Sequence, residues 1–224
     1  MLMGAKMIIL LRFCVIALFL TLIGCSSKVA ETNQYSGFLS DYSDLRTVET
    51  TSGQQVLRWV SPEFRLSNYK DIYVSPVVYF PSPKPDSRVN ASTLEQIRLY
   101  TEQRLKSAVS SHKNLSNQPH AGGLMLRTAI TAVSAENKDI QFYEVLPVTA
   151  VVAGTMTLTG KRSQNTFLFI EAVLIDVSTN KPVIKVVRKA YGGKVSNSES
   201  PITRDDIKSA IDTMVADVVD FPGK

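Results

Sequence analysis

Cysteine and histidine are scarce. Two of each occur in 224 residues, so these types alone cannot assemble a multi-ligand zinc site. Tryptophan occurs once. A dominant charge is lacking too: 25 Lys and Arg stand against 20 Asp and Glu, and the excess of +5 is too small and scattered to mark a nucleic-acid partner. Charged residues make up 20% of the chain and apolar residues 44%, which argues against disorder, collagen and coiled coil. What remains is an ordinary globular chain, long enough for one domain with a sizeable core.

The first 24 residues stand apart. Lys6 and Arg12 precede the apolar run FCVIALFL at 13–20, and Leu22-Ile23-Gly24-Cys25 follows. The run is too short to span a bilayer and has the form of a secretory signal core. Met1, Met3 and Met7 are alternative starts. The Leu-Ile-Gly-Cys tetrad resembles the lipobox of bacterial lipoproteins. That resemblance implies cleavage between Gly24 and Cys25 and a thioether-linked lipid, with a further acyl chain on the amine, at Cys25. Ser26 is the second residue of lipoproteins sorted to the outer membrane, which implies anchoring in its inner leaflet on the periplasmic face. Cys14 then leaves with the signal and Cys25 is acylated, so no disulfide forms although the compartment permits one. No cofactor beyond the covalent lipid is expected.

The rest divides into a lipid anchor and tether at 25–36, an N-terminal arm at 37–62 and a domain at 63–224. The tether is polar and aperiodic. In the arm, Phe38, Leu39, Tyr42 and Leu45 are spaced for docking onto a core, with Asp41 or Ser43 as turn caps. Residues 57–60 suit a short strand containing Trp59. Residues 71–80 read as a strand, with Pro76 implying an edge position or a break. Ser92 and Glu95 have capping-box spacing for a helix whose face is Leu94, Ile97, Thr101, Leu105 and Ala108, ending near Ser110. After a polar loop, alternation from Leu124 to Ala132, a Val/Thr-rich stretch at 148–160 and apolar runs at 167–177 and 183–191 read as strands. Thr203 and Asp206 cap a last helix with the stripe Ile207, Ala210, Ile211, Met214, Val215 and Val218. This order predicts an α+β fold: a mostly antiparallel four- to five-stranded sheet with two helices packed on one face.

Chemistry is thinly signalled. Glu171 sits inside an apolar run and is either a general base with a raised pKa, a partner of Arg127 or Arg188, or a solvent-facing residue. No nucleophile or metal ligand lies at a recognisable spacing from it, which favours a structural role. His112 and His120 share a polar loop with Ser110, Ser111 and Ser116 but lack a nucleophile-elbow context. The glycine pairs at 122–123 and 192–193 do not have a phosphate-binding form. Lys185, Arg188, Lys189 and Lys194 are the most basic local stretch and read as a solvated face, with anionic lipid or peptidoglycan as alternative contacts.

Taken together, the lipobox, Ser36-Gly37-Phe38-Leu39 with Asp41-Tyr42 and Leu45, Trp59-Val60-Ser61-Pro62, and Tyr69-Lys70 with Ile72-Tyr73-Val74 and Pro76-Val77 carry a resemblance over nearly the whole mature chain. It resembles the bacterial outer-membrane lipoproteins grouped as domain of unknown function 3313. The resemblance implies an outer-membrane lipoprotein of Gram-negative bacteria with no established activity, and it transfers no catalytic role. The expected function is a non-enzymatic periplasmic domain that binds an envelope protein or cell-wall polymer. Its candidate surface is Phe38, Leu39, Asp41, Tyr42, Trp59 and Tyr69, since aromatics outside regular elements are typical of interfaces. Two alternatives stand beside it. One is an envelope enzyme using Glu171 or a loop histidine. The other is a carrier of a small apolar ligand between sheet and helices, although the alternation gives no sign of an oversized cavity.

Overall fold

Three long apolar strands set the frame. In a computed structural model that describes residues 30, 32–136 and 163–221, β6 (Leu124–Glu136), β7 (Gln164–Asp176) and β8 (Lys181–Val195) pair in antiparallel succession. The expected strand at 148–160 and the segment through Cys25 lie outside the described residues. Beyond β8 the sheet adds β2 (Gln55–Val60) and then β1 (Arg46–Glu49), both antiparallel. On the other side, β3 (Ile72–Val74) and β4 (Val78–Tyr79) lie parallel to β6, and β5 (Leu115–Ser116) lies parallel to β3. The order is β1-β2-β8-β7-β6-β3-β5, with β4 also against β6.

The sheet is therefore eight-stranded and mixed, which corrects the expected four- to five-stranded, mostly antiparallel one. Two physical reasons account for the difference. Strands β1 (four residues) and β5 (two residues) are too short and too exposed to leave a period-two pattern. The parallel pairing follows from α1 (Ala91–Ser110), a crossover that returns the chain to the same end of the sheet before β6. Pro76 marks the break between β3 and β4. There Val77 N donates to Glu102 Oε2 (3.2 Å) and Arg98 Nη1 donates to Val77 O (3.3 Å), so α1 holds the interrupted strand in place.

The cap of α1 also needs correcting. Asn90 is the cap, its Oδ1 accepting from Thr93 N at 2.9 Å, while Glu95 pairs instead with Arg98 at 2.6 Å. The stripe Leu94, Ile97, Thr101, Leu105 and Ala108 is buried. In α2 (Arg204–Val219), Thr203 and Asp206 do form a capping box, Thr203 N donating to Asp206 Oδ2 at 2.8 Å. The helices are joined by Tyr100 OH and Arg104 Nε, both donating to Asp212 Oδ1 (2.7 and 2.9 Å).

Successive residues of a strand point to opposite faces. In β7, Ile170 faces the two helices, while Glu171 faces residues 36–42 of the N-terminal arm. Helices cover one face and the arm covers the other. Ala30 is 5% exposed, so packing begins within the stretch whose composition reads as tether.

Where β8 passes the start of α2, Thr166 Oγ1 donates to Asp206 O at 2.8 Å, and the backbones almost touch. A Cβ on Gly192 would lie 2.1 Å from Asp206 O, whereas one on Gly193 would meet nothing closer than 3.5 Å. This close approach, rather than phosphate binding, explains the first glycine of the pair. Gly192→Ala should cost about 1–3 kcal/mol through overpacking, lowering the melting temperature by several degrees, and Gly193→Ala should melt close to wild type.

Candidate functional site

The arm face is built around one carboxylate. Glu171 is 0% exposed, and its charge is met by three donors rather than by an ion pair with any described residue. Ser36 N donates to Oε1 at 2.8 Å, and Tyr42 OH (2.6 Å) and Leu39 N (3.4 Å) donate to Oε2. Neither Arg127 nor Arg188 reaches it. Arg127 lies over the Phe38 ring at 5.4 Å, and Arg188 is on the opposite face of the sheet with Asp217. Tyr42 stacks on Tyr35 with centroids 4.4 Å apart, and its oxygen accepts from Gly37 N at 2.9 Å. Burial, followed by the bond to Glu171, pushes the Tyr42 phenol up to about 12.

The residues singled out in the sequence fall in two places. Leu39 is buried, Phe38 and Tyr42 are half-buried, and Asp41 is exposed. Lys185 Nζ joins Asp41 to Trp59: it contacts Asp44 Oδ1 at 2.6 Å, Asp41 Oδ2 at 3.4 Å and the Trp59 ring at 5.2 Å. Phe38, Leu39, Asp41, Tyr42 and Trp59 thus share the arm face. Tyr69 stands apart, stacked on Phe64 at 5.9 Å with its hydroxyl 3.5 Å from Asp176 Oδ2. The basic stretch is not a solvated face. Lys185, Arg188 and Lys189 are buried and divide between the two sides of the sheet, with Lys189 Nζ 5.1 Å from the Phe167 ring; Lys194 is exposed.

On the helix face lies a partly open apolar cleft of about 190 Å³ that strand alternation did not disclose. Its floor is sheet surface that the helices leave uncovered, including Leu126, Ala172, Ile184 and Val186. Leu105 and Val109 of α1 and Met214 and Val218 of α2 form its walls, and Phe64, Leu66, Arg58 and Phe221 also line it. Such a volume suits a ligand smaller than those of typical pockets, which span roughly 300–1,000 Å³. An apolar cavity of about 150 Å³ is already large enough for benzene.

Few polar groups line the cleft. Arg188 Nη1 is paired with Asp217 Oδ2, and both residues are buried. Ser52 Oγ donates to Asp217 Oδ1 at 2.6 Å. Burial pulls the Arg188 guanidinium below its ordinary value, and the Asp217 carboxylate opposes that pull. Thr128 Oγ1 is buried without a hydrogen-bond partner among the described residues. The Thr101 hydroxyl donates to Ile97 O at 2.8 Å, and His112 Nε2 lies 2.7 Å from Val218 O. These two side chains are thus held by the helices rather than by each other. His120 is elsewhere, with Nε2 2.9 Å from Asp71 Oδ2; contact with the Ala121 carbonyl, then Asp71, raises its pKa.

The three donors to Glu171 make the arm a folding element. Tyr42→Phe leaves the buried carboxylate one donor short and should cost about 1.5–3 kcal/mol. The pH dependence has a defined sign. A phenol raised from its usual value of roughly 10 to about 12 stabilises the fold fully below the lower value. That contribution is lost as pH rises through the upper one. Denaturant melts of wild type and Tyr42→Phe should converge across that window.

Comparison with known proteins gives this body a place. The family described as a protein of unknown function (DUF3313) matches residues 34–218. The uncharacterized lipoprotein YdcL of Escherichia coli is 44% identical over 202 residues, covering 90% of this chain and 91% of its own. Likenesses among solved structures are weaker. The hypothetical protein CT253 of Chlamydia trachomatis has a TM-score of 0.40 at 12% identity, covering 67% of this chain and 96% of that one. The PelC dodecamer from Paraburkholderia phytofirmans has a TM-score of 0.36 at 11% identity, covering 73% and 95%. By both the family match and the close relative, the chain belongs to the DUF3313 family and is a bacterial lipoprotein.

Proposed function

We propose that this lipoprotein holds a small apolar ligand in the cleft between sheet and helices, without chemical conversion. A lipid on Cys25 keeps it on the periplasmic face of the outer membrane. The observation that carries the reading is the cleft itself: apolar sheet surface left uncovered between two helices and open on one side. A chain that needed only a core would gain by closing it, since each buried methylene is worth about 0.8 kcal/mol. The non-enzymatic part is supported by the arrangement of the polar groups. The Thr101 hydroxyl and His112 Nε2 are engaged with helix carbonyls, and Glu171 lies on the far side of the sheet, tied to the arm.

A second reading keeps the envelope protein or peptidoglycan partner, and one observation favours it. Phe80 is 38% exposed and meets Phe38 edge-on at 5.8 Å, giving an aromatic pair at the surface. Asp41 and Trp59 flank the arm nearby in the fold through Lys185.

Photo-crosslinking in living cells separates the two. A diazirine residue replacing Leu66, which lines the cleft, should yield an adduct of small-molecule mass. Ala172→Phe, which fills the floor, should abolish that adduct while the protein still folds. An envelope-protein adduct from position 38 or 59, with none from 66, would reject the cleft in favour of the partner reading. Independently, Cys25→Ala should move the protein out of the membrane fraction, and retention there would refute the lipid anchor at this residue.

A further inference from the structure

The mouth of the cleft carries a charge that no described residue pairs with directly. Arg58 of β2 stands beside Val186 of β8 and lines the cleft. Its guanidinium lies over the Phe221 ring at 5.0 Å and makes no hydrogen bond or ion pair with any described residue. The carboxylate that acts on it is Asp217, which is already engaged by Arg188 and by Ser52. Asp217 is thus bonded to Arg188 and Ser52 and reaches Arg58 only through its field. Directly across the sheet is Arg46, whose guanidinium is turned to the carbonyls of Ser43 (2.9 Å) and Leu45 (2.7 Å).

A half-buried guanidinium that no described residue pairs with has lost part of its hydration, a cost that an anion beside it would offset. Its planar fork fits a carboxylate with two parallel hydrogen bonds in the guanidinium plane, and stacking on a ring occupies a face rather than that N–H edge. Most of the remaining lining, from Ala172 and Ile184 to Leu126 and Leu174, is apolar, and the one hydroxyl there without a hydrogen bond among the described residues is that of Thr128. A volume of about 190 Å³ has no room for the two chains of a diacyl lipid.

We infer that the ligand of this cleft is a single-chain carboxylate of the fatty-acid type, its tail on the uncovered sheet and its head on Arg58. This rests on the cleft reading and names its ligand class. Arg188 lies deeper, committed to Asp217, and serves to keep that carboxylate away from Arg58.

The test uses the lipidated protein in nanodiscs, with empty nanodiscs as the blank, titrated by calorimetry with decanoate and with decanol. Wild type should prefer decanoate by about tenfold, the size of a charge-assisted hydrogen bond. Arg58→Gln should lose that preference while binding decanol as before, and Arg58→Lys should retain part of it. Thermal melts of both variants check that they fold. Equal affinity of wild type for the two probes would overturn the role of Arg58 and leave the cleft standing. A preference that survives Arg58→Gln would overturn it as well. Failure of either probe to bind any of the three proteins would remove the cleft reading itself, and this inference with it.

Discussion

Strand β7 is buried on both faces, and the architecture is arranged around that requirement. A strand in this position needs a cover on each side, and each cover must satisfy whatever polar groups the strand carries. The helices cover Leu168 and Ile170, and Thr166 is met by the first turn of α2. On the other side Glu171 is covered by residues 36–42, which form no helix or strand. The carboxylate is what gives that irregular cover a fixed register, because its three donors come from residues 36, 39 and 42. The core of this domain is thus closed by a hydrogen-bonded strap as much as by apolar packing.

Much of this was legible because local periodicity and burial agree. Both helix stripes and the Thr203–Asp206 cap follow from spacing, and of the edge position or break that Pro76 implies the chain takes the break. Glu171 stood out as a lone acid in an apolar run, but its partners lie 129 to 135 residues away along the chain, and no local pattern encodes such a pairing. The same limit hid the fate of Lys185 and Lys189, which looked like surface residues and instead lie over aromatic rings beside the arm. Parallel pairing was missed because two- and three-residue strands carry too few positions to declare a period.

The cleft was illegible for a different reason. Leu126, Ala172, Ile184 and Val186 alternate as core residues should, and nothing in the alternation says that the helices stop short of them. Beside the cleft the buried pair of Arg188 and Asp217 ties the last turns of α2 to β8. Breaking such a pair typically costs about 3–5 kcal/mol, while replacing both members by apolar groups is often neutral. Its contribution is therefore better understood as placement than as stability. It fixes where the end of α2 sits on the sheet, next to the open surface.

The burial of Ala30 bears on how far the domain can stand from the bilayer. If the lipid is on Cys25, four residues lie between it and Ala30, a described packed position, and at most about 18 Å of chain joins the two. That is close to the radius of gyration of roughly 16 Å expected for a body of this size. A leash comparable to the domain's own radius restricts its turning over. The protein would skim the leaflet with the same side always toward the headgroups, sampling molecules that arrive by lateral diffusion before those that cross the open aqueous space.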